Sequence, residues 1–195
     1  MKTIQLPLFP LHTVLFPGGP LPLRIFEARY LDMVSQCLQT DSGFGVCMIH
    51  HGKEVGEAAI TVEMGVVARI VDWHQRHDGL LGITAIGERR FKVASVRTQA
   101  NHLAIAKVEL MDDDPGMELP DRYLPLVDML RRLIESAGHH YESLPRRFAD
   151  ASWVSYRLIE LLPIEMNQKQ LFLEMDDPIA RLEQLYNMLE GMQVV

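Results

Sequence analysis

The sequence predicts an α+β fold in two parts: a β-rich N-terminal region over residues 1–111 and an α-helical region over residues 117–195, joined by a linker at 112–116. Three observations carry this expectation. Up to Met111 the chain consists of short β-branched and aromatic runs punctuated by Gly and Pro, the pattern of a compact, irregular β structure. At Asp112-Asp113-Asp114-Pro115-Gly116 it becomes acidic and turn-prone. Beyond that point apolar residues recur at helical spacing. With 195 residues, 48% of them hydrophobic and 23% charged, the chain has the apolar content to bury a core, which excludes a disordered ground state.

The expected strands are 13–16, 21–26, 44–50, 66–73, 80–86, 90–96 and 102–110. Asp78-Gly79 reads as a two-residue hairpin turn, because glycine accepts the positive φ that such a turn needs. One helix interrupts the strands over 27–39, with Tyr30, Met33, Val34, Cys37 and Leu38 on one face, and is expected to plug an end of a barrel. In the C-terminal region Asp121 caps a helix running through Ala137 and stopped by Gly138. A second helix covers 146–162 and stops at Pro163, and Asn167 and Asp177-Pro178 are read as the caps of two more.

Several function classes are disfavoured at once. Residues 1–110 carry a net charge of +1 and the remainder −8. The basic spots at Arg89, Arg90 and Lys92, at Arg131 and Arg132, and at Arg146 and Arg147 are scattered instead of forming a phosphate-tracking stripe, so nucleic acid is a disfavoured partner. Pro7, Pro10, Pro17, Pro20 and Pro22 break up the apolar N-terminus as an export helix, and no window reaches the roughly 18 apolar residues of a membrane span; a cytoplasmic protein without a membrane partner is expected. Cys37 and Cys47 form neither a disulfide framework nor a metal-binding pair.

No nucleotide-binding P-loop is present, since Gly52-Lys53 is followed by Glu54 and preceded by Cys47 at the positions that matter. No serine lies in a GxSxG turn. His50 and His51 are adjacent on a strand and point to opposite faces, while His74 and His77 flank a polar turn, so neither pair is expected to hold a metal. Cys47 reads as a buried apolar residue, and the eleven methionines mostly as core filling. No catalytic residue, metal or cofactor is expected.

The most distinctive segment is Leu6 to Tyr30, LPLFPLHTVLFPGGPLPLRIFEARY, in which five prolines and two glycines fix an unusual backbone path beside Arg24, Glu27 and Arg29. Together with Met33, Phe44-Gly45-Val46, Val55-Gly56, Gly65 through Ala68, Ile70, Asp78-Gly79, Gly87 and Arg90-Phe91, it resembles the N-terminal substrate-binding domain of Lon-type ATP-dependent proteases. The tail bearing Leu161-Leu162-Pro163, Lys169-Gln170, Leu173-Glu174 and Arg181-Leu182 is similar to the rest of that domain. Ala28 stands where the family usually has Pro, and Val66 where it usually has Thr.

The resemblance implies a PUA-like pseudobarrel followed by a helical subdomain, without the ATPase and protease modules of full Lon enzymes. It implies a non-catalytic module that binds unfolded or extended polypeptide segments, or a protein partner such as a protease or chaperone component. Exposed strand edges are expected to add an extended peptide, with Phe16, Leu23 and Phe26 receiving its side chains. Pro17, Gly18, Arg24, Glu27, Arg29 and Tyr30 are expected to hold the structural motif, with Arg24 paired to Glu27. The alternative reading is a PUA-like RNA-binding module.

Overall fold

A computed structural model describes residues 2–54, 59–142 and 144–191. The chain separates into two compact units, residues 1–112 and 113–195. The first contains strands β1 (Lys2–Leu11), β2 (Pro20–Ile25), β3 (Phe44–His51), β4 (Ile60–Gln75), β5 (Leu81–Thr98) and β6 (Ala104–Leu110), with helix α1 (Ala28–Thr40) between β2 and β3. β1 runs parallel to β3 and antiparallel to β6, β3 pairs with β4, and β4 with β5. The second half of β5 returns to β6, which closes five strands into a pseudobarrel. The first half of β5 instead carries β2 on its side. This is the α+β arrangement expected from the sequence.

Barrel closure depends on small residues at two positions. Phe91 fills the interior together with Leu6, Leu8, Cys47, Val67, Ala106 and Val108. A Cβ on Gly45 would lie 2.8 Å from the Phe91 ring, and one on Gly65 would lie 2.3 Å from the Val46 carbonyl oxygen, so a larger residue at either site would collide with the core. β3 is buried without interruption from Phe44 to Ile49, on both of its faces. Its outer face and that of β1 are covered by α1: Phe9, which alternates with the interior Leu8, stacks on Tyr30 at 4.0 Å with a 13° tilt, and Phe44 adds a second ring at 6.0 Å. The helix therefore lies on the outer face of the barrel and is not the end plug that was expected. Arg29, Tyr30, Met33, Val34 and Cys37 form its buried stripe, while Leu38, placed in that stripe by periodicity, is exposed.

Other strand boundaries also differ from expectation. Residues 13–16 are not a strand, and β1 was missed because Pro7 and Pro10 disguise it; both prolines take ladder positions, opposite Ile105 and Cys47. The two strands expected over 80–96 are one long β5. The hairpin before it has a three-residue loop, closed by Arg76 N–H to the Leu80 carbonyl at 2.9 Å, with Gly79 at φ +81°. This is a turn followed by a left-handed glycine, the longer alternative to the two-residue form.

The second unit holds a 3-10 turn at Asp121–Tyr123 and helices α2 (Leu124–Ser136), α3 (His139–Glu142), α4 (Ala151–Leu161), α5 (Met166–Glu174) and α6 (Pro178–Gly191). Asp150 caps α4 by accepting the amides of Ser152 and Trp153, which sets its start five residues later than periodicity alone gave. Asp177 caps α6 through the amides of Ile179 and Ala180, whereas Asn167 lies inside α5, whose first turn has no side-chain cap. Arg181 is fully buried. It donates to Ser155 Oγ at 2.9 Å and to the Met175 carbonyl at 2.8 Å, pairs with Asp114, and stands 3.7 Å above the Tyr156 ring. Asp114, read from sequence as linker, thereby becomes an anchored part of this unit. Among the described residues no helix is long and apolar enough to cross a membrane.

Both thiols are buried, and burial pushes their pKa values up, that of Cys47 to about 12. At pH 8 they are therefore neutral and shielded, and only a thiolate attacks a disulfide reagent quickly. Titration with 5,5′-dithiobis(2-nitrobenzoic acid) is expected to find neither thiol within minutes in native buffer and both in guanidinium chloride. Rapid reaction of Cys47 in native buffer would show that the barrel core is open.

Candidate functional site

The Val14-Leu15-Phe16-Pro17-Gly18 motif is a structural clamp. Gly19 N–H bonds to the Phe16 carbonyl at 2.9 Å, with Pro17 second and Gly18 third at φ +71°, the residue pattern of a type II turn. The turn docks onto β5 through Gly18 N–H to the Gly87 carbonyl and Gly87 N–H to the Gly19 carbonyl. A Cβ on Gly87 would sit 2.2 Å from the Phe16 carbonyl oxygen, so this close approach requires glycine. Phe16 is 0% exposed. It is a core residue that no ligand reaches, which corrects its expected place among the recognition residues.

Leu23 and Phe26 remain accessible and lie together. Phe26 is 51% exposed where the chain leaves β2 and turns into α1. It lines a cleft of about 260 Å³ together with Phe9, Leu11, Pro22, Leu23, Arg24, Ile25, Glu27, Tyr30 and Glu54. The stacked Phe9 and Tyr30 rings belong to this lining, so one side of the cleft is aromatic. Sequence reading had placed Tyr30 only in the scaffold and had missed Phe9, Leu11 and Glu54; no periodic signal connects β1 and the segment after β3 to β2.

The edge of β2 is poorly suited to strand addition. Pro20 and Pro22 have no N–H, so the ladder to β5 runs through the amides of Leu21, Leu23 and Ile25, opposite Ala85, Ile83 and Leu81. The outer edge then offers only the Arg24 N–H as a donor. This edge is therefore a poor match for the main-chain pairing expected from the sequence.

The charges pair differently from expectation. Arg24 is 56% exposed and reaches Asp78 of the hairpin at 3.4 Å, not Glu27. Glu27 pairs at 2.9 Å with Arg29, whose side chain is only 6% exposed. Arg29 also donates to the His102 carbonyl at 3.0 Å, tying the start of α1 to the β5–β6 turn, where His102 itself has φ +65°. Its guanidinium lies 4.7 Å from the Tyr30 ring centre. Burial raises the Tyr30 phenol above its ordinary pKa; Arg29 opposes this, and the Glu27 and Glu54 carboxylates add to it. The Glu54 carboxylate accepts the His12 amide at 2.6 Å. His50, His51, His74 and His77 are all exposed, and among the described residues no cluster of three metal-ligating side chains occurs.

A closed five-strand barrel with an added strand and a helix on its outer face, followed by a helical unit, define a PUA-like β domain with a helical companion. The chain belongs to the ATP-dependent protease La (LON) substrate-binding domain family, whose model matches residues 5–191. A Lon N-terminal domain protein from Xanthomonas campestris superposes with a TM-score of 0.78 at 38% identity, over 94% of this chain and 98% of that one. The N-terminal domain of a Mycobacterium avium complex Lon protease shares the fold, with a TM-score of 0.64 at 18% identity over 94% of this chain and 97% of that one. Among curated proteins, cereblon of Xenopus tropicalis is 32% identical over 140 residues, 70% of this chain and 28% of that protein. Lon protease 2 of Myxococcus xanthus is 25% identical over 198 residues, 94% of this chain and 23% of that protein. The chain thus spans about a quarter of the length of these curated relatives.

Removing the buried Phe16 ring is expected to cost about 3 to 5 kcal/mol, while Phe26→Ala melts close to the parent. Arg29→Ala, which strands Glu27 and the His102 carbonyl, lowers stability by about 3 kcal/mol or more. Arg24→Ala, at an exposed pair, costs no more than about 1 kcal/mol and shifts the melting temperature by at most about 4 °C. Thermal melts of the four variants check this ranking; Arg24→Ala melting well below Arg29→Ala would reverse it.

Proposed function

We propose that this chain is a non-catalytic module that captures unfolded or extended polypeptide segments, or a protein partner such as a protease or chaperone component that presents one, through the cleft between β2 and α1. The observation that carries the reading is Phe26, a large aromatic half-exposed in a cleft also lined by Phe9 and Tyr30, in a protein of the Lon substrate-binding domain family. An exposed apolar residue beside a concave apolar surface gains by being covered, at roughly 25 cal/mol per Å² removed from water. Leu23 beside it supplies a second apolar contact, and the prolines of β2 hold the wall in place without a rearrangement on binding. The two unpaired cysteines suit a reducing compartment, and the module works in the cytoplasm.

The test is fluorescence anisotropy with reduced, carboxymethylated α-lactalbumin as an unfolded client. The parent binds it and does not bind the native, disulfide-bonded form. The double variant Leu23→Ser, Phe26→Ser binds at least about tenfold more weakly, a loss of about 1.4 kcal/mol, with its melting temperature unchanged. Undiminished binding by that variant would place recognition elsewhere. A poly(U) RNA binding more tightly than the unfolded client, with steep salt dependence, would favour the RNA-binding alternative. The purified chain turns over no ATP and cleaves no casein.

A further inference from the structure

The cleft is chemically lopsided. Of the carboxylates lining it, Glu27 is neutralised by Arg29 at 2.9 Å. Glu54 accepts a neutral backbone amide, and among the described residues no lysine or arginine pairs with it. Besides Arg29, two cations lie nearby, Arg24 and Lys53. Arg24 also lines the cleft, but its guanidinium reaches Asp78 of the hairpin at 3.4 Å and forms no ion pair with Glu54. Lys53 and Arg29 line a neighbouring cavity that Glu54 and Tyr30 also border, but among the described residues neither forms an ion pair with Glu54. A carboxylate that among the described residues forms no ion pair therefore shares a small cleft with the Phe9 and Tyr30 rings and with the exposed Phe26. A carboxylate beside aromatic faces complements a cationic side chain, which gains from the opposite charge and from the ring quadrupoles at once.

We propose that the cleft selects polypeptide segments in which a lysine or arginine directly adjoins the apolar anchor residue, the cation meeting Glu54 while the anchor packs against Leu23 and Phe26. This rests on the polypeptide-binding reading and adds a sequence preference to it. An acidic residue in the same place meets like charge and is rejected, so the site discriminates by repulsion as well as by attraction. The preference weakens with salt, because Glu54 lies at the surface and its field is screened within about 8 to 10 Å at physiological ionic strength.

The test uses three fluorescein-labelled decapeptides that differ at one position, with Leu-Phe followed by Arg, Gln or Glu in a Gly-Ser background. Anisotropy at low ionic strength is expected to rank them Arg, Gln, Glu, with about a tenfold spread between the first and last. Glu54→Gln, which keeps an oxygen for the His12 amide, narrows that spread to within about twofold and leaves affinity for the Gln peptide unchanged. Equal binding of the Arg and Glu peptides to the parent, with binding still lost in Phe26→Ser, overturns the charge preference and leaves the polypeptide-binding reading standing. A spread that survives in Glu54→Gln overturns the assignment to Glu54. Failure of all three peptides to bind, with the unfolded lactalbumin also unbound, overturns both.

Discussion

A sheet buried on both faces is the constraint on which the first unit is built. Strand β3 presents apolar side chains inward to Phe91 and outward to α1, so neither face can be left open to water. The inner requirement fixes glycine at positions 45 and 65, where the Phe91 ring leaves no room for a side chain. The outer requirement demands a helix, and only two residues separate that helix from the end of β2. Phe26 falls in this connection and has nowhere to be buried. The exposed aromatic and the cleft beside it thus follow from how abruptly the chain changes from strand to helix.

Electrostatics divides along the same line. Arg29 enters the low-dielectric layer between α1 and the β5–β6 turn, and it does so with a carboxylate and a carbonyl already in place. Arg24, five residues earlier, remains in solvent and pairs loosely with the hairpin. The second unit repeats the buried arrangement in Arg181, which is satisfied by a carboxylate, a hydroxyl, a carbonyl and an aromatic face.

Much of this was readable in the chain. The change of periodicity after Met111, the helix bearing Tyr30, Met33, Val34 and Cys37, and the Asp177-Pro178 cap all follow from local rules, and local rules suffice where a segment buries one face. β1 was hidden because proline usually breaks a strand, and only the pairing with β3 and β6 shows where Pro7 and Pro10 are tolerated. Pairing of charges differs from expectation for a related reason: Arg24 and Glu27 are neighbours in sequence, yet Glu27 pairs with Arg29 at the start of the helix while Arg24 finds Asp78 of the hairpin across the fold. Phe16 and Phe26 look alike as aromatic residues beside turns. Their opposite fates depend on Gly87, seventy-one residues beyond Phe16, against which the Phe16 carbonyl packs. The cleft gathers residues from β1, β2, α1 and the segment after β3, a convergence no spacing rule encodes.

The central claim is that binding is concentrated at the junction of β2 and α1. Hydrogen–deuterium exchange with and without saturating reduced, carboxymethylated α-lactalbumin tests it most directly. The account predicts slower exchange in peptides covering residues 22–31 and 53–54, with helices α2 to α6 unchanged. Protection confined to the helical unit, with residues 22–31 unaffected, would contradict it.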